Sequence, residues 1–270
     1  MTRSRALSVL IGLVLSATAY AAVAQIPAQV SPTRIPATAP LSADAAAVPF
    51  GVGEKSTFEV KFGVVKVGSG SLQVVGVESL RGSETYHVLF NVQGGTFFYR
   101  VNDSYESWID TRTLNSLLFI RQIEEGTRER TQTFEIMPER RQYVERTRQK
   151  TTVKESVAEP LDEGAFLYFV RTIPLVVGQT YDFHRYFIPT RNPVRVRVLR
   201  KERVTVPAGT FDAIVVQPVI KTRGIFSEKG QAEVWLSDDP SRMLLQVKSQ
   251  LSFGSLNLFL TSYTPPTTRR

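Results

Sequence analysis

Two histidines and no cysteine restrict the chemistry open to this 270-residue chain. A zinc site would need both His87 and His184 together with carboxylates, and no cluster in the sequence has ligand spacing. His87 sits in a strand-like run beside Tyr86 and Val88, and His184 lies among aromatic residues, so each reads as a structural histidine. The stretch Gly51-Val52-Gly53-Glu54-Lys55-Ser56 has the composition of a phosphate-binding loop but not its order. That loop needs Gly-Lys-Ser/Thr in direct succession between a strand and a helix, whereas Glu54 interrupts it here and a strand pattern follows. Gly68-Ser69-Gly70 lacks the third glycine and the helix of a dinucleotide fingerprint. Asp238 and Asp239 are neighbours on a turn before Pro240, a placement that points their carboxylates apart rather than to either side of one bond. No Gly-x-Ser-x-Gly elbow exposes a serine beside a base. The sequence thus offers no catalytic residue, no metal ligand set and no cofactor site.

What remains is aromatic. Phe97, Phe98 and Tyr99, then Phe166, Tyr168 and Phe169, then Tyr181, Phe183, Tyr186 and Phe187 are expected mainly in the core. If a curved sheet leaves a cavity beneath a short helix, the same residues line an apolar pocket with Arg171 at its solvent-facing rim. Phe166, Tyr168, Phe169, Arg171, Tyr181 and Phe183 are therefore the candidate ligand-binding residues, suited to a lipid-like, amphiphilic or anionic envelope ligand.

The elements that would position them are β-strands. Thr57, Glu59 and Lys61 alternate with Phe58, Val60 and Phe62, the period of a strand with one buried face. Val65 to Val77 continues around Gly68 and Gly70, which predicts a bulge or sharp bend in a long hairpin arm. Further runs at 85–92, 97–109 and 114–123 complete a meander in the first half. Residues 139–150 fit either a charged helix with i,i+4 pairs or a strand; two polar strands turning at Pro138 are the favoured reading. Asp162 can cap a short helix reaching Thr172, apolar on nearly every side and therefore expected to pack on a concave sheet face. Strands resume at 180–188, 194–204, 211–220, 232–236, 243–247 and 251–260. Turn chemistry at Pro207-Ala208-Gly209-Thr210 and Asp238-Asp239-Pro240-Ser241 separates them, and connections this short imply antiparallel pairing. The expected fold is all-β: a large curved antiparallel sheet or open barrel with one short packed helix.

Arg3 and Arg5 precede an apolar run from Ala6 to Leu15, followed by Ala22-Val23-Ala24. This is the pattern of a signal peptide, residues 1–24, cleaved between Ala24 and Gln25. Without cysteine there is neither a lipid-anchor thiol nor a disulfide framework. Cleavage removes two arginines and leaves a formal charge of +6 against +8 for the full chain. Residues 25–52, rich in Ala and carrying Pro27, Pro32, Pro36 and Pro40, read as a disordered leader, 53–262 as a single β-rich domain and 263–270 as a flexible tail. The mature chain is expected in the periplasm, soluble and without a stable membrane span. There it would meet anionic envelope ligands or an envelope protein rather than nucleic acid.

Four segments together resemble a known bacterial family. They are Gly53-Glu54 with Phe58-Glu59-Val60; Leu167-Tyr168-Phe169-Val170-Arg171; Val206-Pro207-Ala208-Gly209-Thr210-Phe211; and Trp235-Leu236-Ser237-Asp238-Asp239 before Arg242. In this order they resemble the family named domain of unknown function 3108, over 53–260. Met243 and Leu244 stand where that family usually has proline after the arginine. The resemblance implies export and a β-rich fold and carries no catalytic residue. The functional expectation is a non-enzymatic periplasmic protein holding an amphiphile in a curved sheet, with a fully packed interaction scaffold as the alternative and an envelope hydrolase third.

Overall fold

A computed structural model describes residues 28–34, 45–96, 99–221, 231–251 and 254–267. The elements are β1 (Thr33–Arg34), β2 (Lys55–Phe62), β3 (Val65–Leu80), β4 (Ser83–Thr96), β5 (Tyr99–Asp110), β6 (Ser116–Glu125), β7 (Arg128–Met137), β8 (Gln142–Arg146) and β9 (Thr151–Glu155). After α1 (Glu163–Phe169) come β10 (Thr180–Phe183), β11 (Val194–Val206), β12 (Gly209–Val219), β13 (Glu233–Ser237), β14 (Leu244–Leu251) and β15 (Gly254–Thr264). Fourteen strands form one antiparallel path, β10-β11-β12-β13-β14-β15-β2-β3-β4-β5-β6-β7-β8-β9, so β15 closes back onto β2 and the sheet ends at β10 and β9. The short β1 pairs with β3 through Thr33 opposite Ser79, above the point where β2 begins opposite Gln73.

Period-two alternation explains the layers. Phe58 and Val60 of β2, Leu72 and Val74 of β3, Tyr86 and Val88 of β4, and Val194, Val196 and Val198 of β11 all enter one core. Trp108 and Leu118 belong to a smaller cluster with Leu80 and Leu117. Phe187, just past β10, stacks edge-on with Phe134 of β7 and Tyr143 of β8 at 5.2 and 5.1 Å. Those strands lie at opposite ends of the path, so the sheet is rolled around its apolar face. The predicted bulge is present: Val60 faces Gly68 and Lys61 faces Lys66, leaving Val67 unpaired. Gly68 and Gly94 face each other across β3 and β4, and a Cβ on either would fall 2.2 or 2.3 Å from the opposing strand's carbonyl oxygen. Only glycine fits such a contact.

Helix α1 lies on this inner face, against β4 and β5. The Asp162 side chain accepts from the Ala165 amide at 2.9 Å, a side-chain N-cap. The same oxygen accepts from Ser107 Oγ at 2.6 Å, and Ser116 Oγ accepts from the Asp162 amide. Gly164 lets the helix approach this closely, since a Cβ there would sit 2.4 Å from Ser107 Oγ. Gly164→Ala is therefore expected to lower stability by about 1–3 kcal/mol despite alanine's better helix propensity. Chemical denaturation checks it, and a stabilised variant would contradict the packing.

Three sequence expectations need correction. Residues 180–188 are not one strand: β10 stops at Phe183 because Asn192 holds both the amide and the carbonyl of Tyr186, while Leu161 bonds Arg185 and Phe187 in a short parallel bridge. The leader does not stay outside the fold up to residue 52. Phe50 is buried against Tyr86 and Tyr168, and the Ala46 amide donates to the Thr111 carbonyl, because these apolar residues cover an otherwise open end of the core. The tail is likewise pinned through Thr267, whose amide donates to the Val52 carbonyl. Within 139–150, β8 is a strand, entered through a 3-10 turn at Pro138–Arg140. Residues 1–27, which hold the expected cleavage site Ala22, Ala24 and Gln25, lie outside the described residues, as do Phe97 and Phe98.

Candidate functional site

The structure divides the aromatic residues singled out from sequence into two groups. Phe166 and Tyr168 are core residues, with Tyr168 packed edge-on to Phe50 at 4.7 Å. Phe169 meets Phe183 at 5.1 Å, Phe183 stacks near Tyr181 at 6.3 Å, and Arg185 covers Phe169. These rings pack on one another and on the inner sheet face. Tyr181 and Phe183 are partly exposed at its margin.

Arg171 corrects the expectation of a solvent-facing rim, because it is 4% exposed. Its guanidinium donates to Glu54 at 2.6 and 3.2 Å, to the Pro49 carbonyl at 3.1 Å and to the Ser241 carbonyl at 2.7 Å. Phe50 and Tyr168 flank it, each 5.5 Å away. A guanidinium is buried at tolerable cost only when acceptors converge on it in this way. Three of the four segments carrying the family resemblance meet here: Glu54, Arg171 and the turn after β13. The fourth is tied down separately, where the Ala208 amide donates to the Leu260 carbonyl. Glu54 and Arg171 hold these chain segments together in the interior.

The remaining polar residues named from sequence have separate surroundings. Asp162 is fully buried, and burial pushes its carboxyl up to about 7 against the hydrogen bonds from Ser107 and Ala165. His87 lies between Glu78 and Glu106 at 3.2 and 2.9 Å and stacks on Trp108, whose indole donates to Glu78. His184 is exposed just past β10, on a different part of the sheet. Asp239 accepts from the Ser241 and Arg242 amides and holds its turn, whereas Asp238 pairs with Lys201. The two carboxylates thus have separate partners.

The outward face of β11 and β12 carries a different arrangement. Val194, Val196 and Val198 point into the core, so Arg195 and Arg197 between them point out. Arg195 lies opposite Val219, and Arg197 opposite Gln217, to whose Oε1 it donates at 3.2 Å. With Pro193, Lys221 and Gln231 these residues line a cleft of about 410 Å³. Asp182 on the neighbouring β10 binds Arg195 through two hydrogen bonds of 2.7 and 2.8 Å, and that guanidinium holds its carboxyl below the usual range. Among the described residues, Arg195, Arg197 and Lys221 border the cleft with the Asp182 carboxylate beside them, and a basic cleft attracts anions. The Val-Arg-Val-Arg-Val alternation was the available sequence signal: every second residue of a half-buried strand reaches solvent.

These features define a rolled antiparallel β domain with a packed inner face and a basic outer cleft. The chain belongs to the family described as protein of unknown function DUF3108, whose model matches residues 57–261. Its fold is similar to the crystal structure of a β-barrel-like protein of domain of unknown function DUF1849 from Brucella abortus, with 8% identity and a TM-score of 0.51 over 81% of this chain and 100% of that one. A candidate lipoprotein from Parabacteroides distasonis matches with 14% identity and a TM-score of 0.35, covering 81% of this chain and 99% of that one. No curated protein matches the chain. Among the described residues no helix is long and apolar enough to cross a membrane.

Proposed function

We propose that this is an exported, non-enzymatic protein of the bacterial envelope whose outer cleft on β11 and β12 binds the anionic headgroup of an envelope amphiphile. Export is supported by the basic, apolar and small-residue succession of residues 1–24. The observation that carries binding is the convergence of Arg195, Arg197 and Lys221 on the 410 Å³ cleft. Arginine suits phosphate and carboxylate through its planar fork, and the half-buried Val219 and Pro193 offer apolar contact beside it. Dodecyl phosphate below its micellar concentration, titrated calorimetrically, is the test. Arg197→Glu with Lys221→Glu is expected to weaken binding at least about tenfold, and an uncharged dodecyl glycoside should bind poorly. Equal affinity in parent and variant would overturn the reading. The packed inner face favours one second reading, a protein-interaction scaffold, for which a co-purifying protein in native mass spectrometry is the expected sign.

A further inference from the structure

The turn joining β2 to β3 is the most exposed apolar feature among the described residues. Val64 is 92% exposed, Val65 62% and Phe62 40%. Gly63 adopts φ +58°, and a Cβ there would meet nothing within 4 Å. The tip is nonetheless held in place: Phe62 pairs with Val65, and the Gly63 amide donates to the Ser255 carbonyl of β15 at 2.9 Å. Lys61 and Lys66 bracket it, Lys66 exposed and Lys61 paired with Glu59 at 2.7 Å. Val64 and Val65 thus hold adjacent apolar side chains in water at a tip whose backbone is fixed, an arrangement suited to an apolar partner.

We infer that this tip is a membrane-contacting point, which places Val64 and Val65 in the outer hydrocarbon of an anionic lipid surface and Lys66 among its headgroups. The argument for lipid is the order of chemistry along the turn. Apolar side chains lie at the apex and lysines one residue behind on both arms, matching a surface with anionic charge outside and hydrocarbon a few ångströms within. The same end of the sheet is where β4 ends at Thr96 and β15 begins at Gly254. The inference is independent of the cleft, because its groups lie on other strands.

The test uses the whole protein and a reporter at the tip itself. Val64→Trp is expected to show a blue-shifted emission on vesicles of phosphatidylcholine with phosphatidylglycerol, and quenching by brominated acyl chains. Val64→Asp with Val65→Asp is expected to weaken vesicle partitioning at least about tenfold at unchanged melting temperature. Lys66→Glu should weaken it about fivefold on anionic vesicles and little on neutral ones. No shift or quenching from the reporter would overturn the inference. So would equal partitioning of the aspartate variant, or a change in that variant's oligomeric mass, which would make the tip a contact between copies.

Discussion

Arg171→Ala is expected to lower unfolding free energy by about 3–5 kcal/mol. The replacement removes the guanidinium that donates to both oxygens of Glu54, which is 3% exposed, and strips the Pro49 and Ser241 carbonyls of the same partner. A carboxylate left behind in that setting has lost its counter-charge without regaining water. Glu54→Leu combined with Arg171→Met should cost less than Arg171→Ala alone, since it leaves no buried charge and refills the volume between Phe50 and Tyr168. Urea unfolding of Glu54→Leu, Arg171→Met and their combination measures the coupling. A single variant within about 1 kcal/mol of the parent would show that the pair does not hold the leader, helix and β13–β14 turn together.

The second large effect is pH-dependent and centres on Asp162. Its folded-state carboxyl titrates at about 7, above the ordinary 3.8, because burial disfavours the charge. Below about pH 4 both folded and unfolded chains carry the proton. Between about 4 and 7 only the folded chain retains it, so this group's contribution to stability falls as pH rises and levels off above 7. Over that window the loss is on the order of 4 kcal/mol. Asp162→Asn keeps an oxygen for Ser107 and Ala165 but cannot ionise. Relative to the parent, it should therefore gain several kcal/mol in denaturation experiments between pH 4 and pH 8. Subtracting the parent at each pH cancels the other titrating groups. A difference that stays flat across the window would refute the assignment.

Local chemistry made much of the fold legible. Alternation in β2, the turn residues at 207–210 and 238–241, the bulge beside Gly68 and the Asp162 cap depend on residues a few positions apart, and their energetics act at that range. The β character of the chain, its antiparallel connections and the short helix after Asp162 are therefore local properties of the sequence. The role of Arg171 could not. Its partner Glu54 is 117 positions away, and a cationic residue at the end of an apolar helix has the same sequence signature whether it reaches water or a buried carboxylate. The early end of β10 likewise depends on Asn192 and Leu161 competing for its backbone. The basic cleft arises only when register sets Arg195 and Arg197 beside Val219 and Gln217. Sequence alone determined which faces of each element are apolar. The tertiary structure decided which polar groups on those elements meet one another, because pairing across the sheet is governed by register and chain return rather than by neighbouring residues.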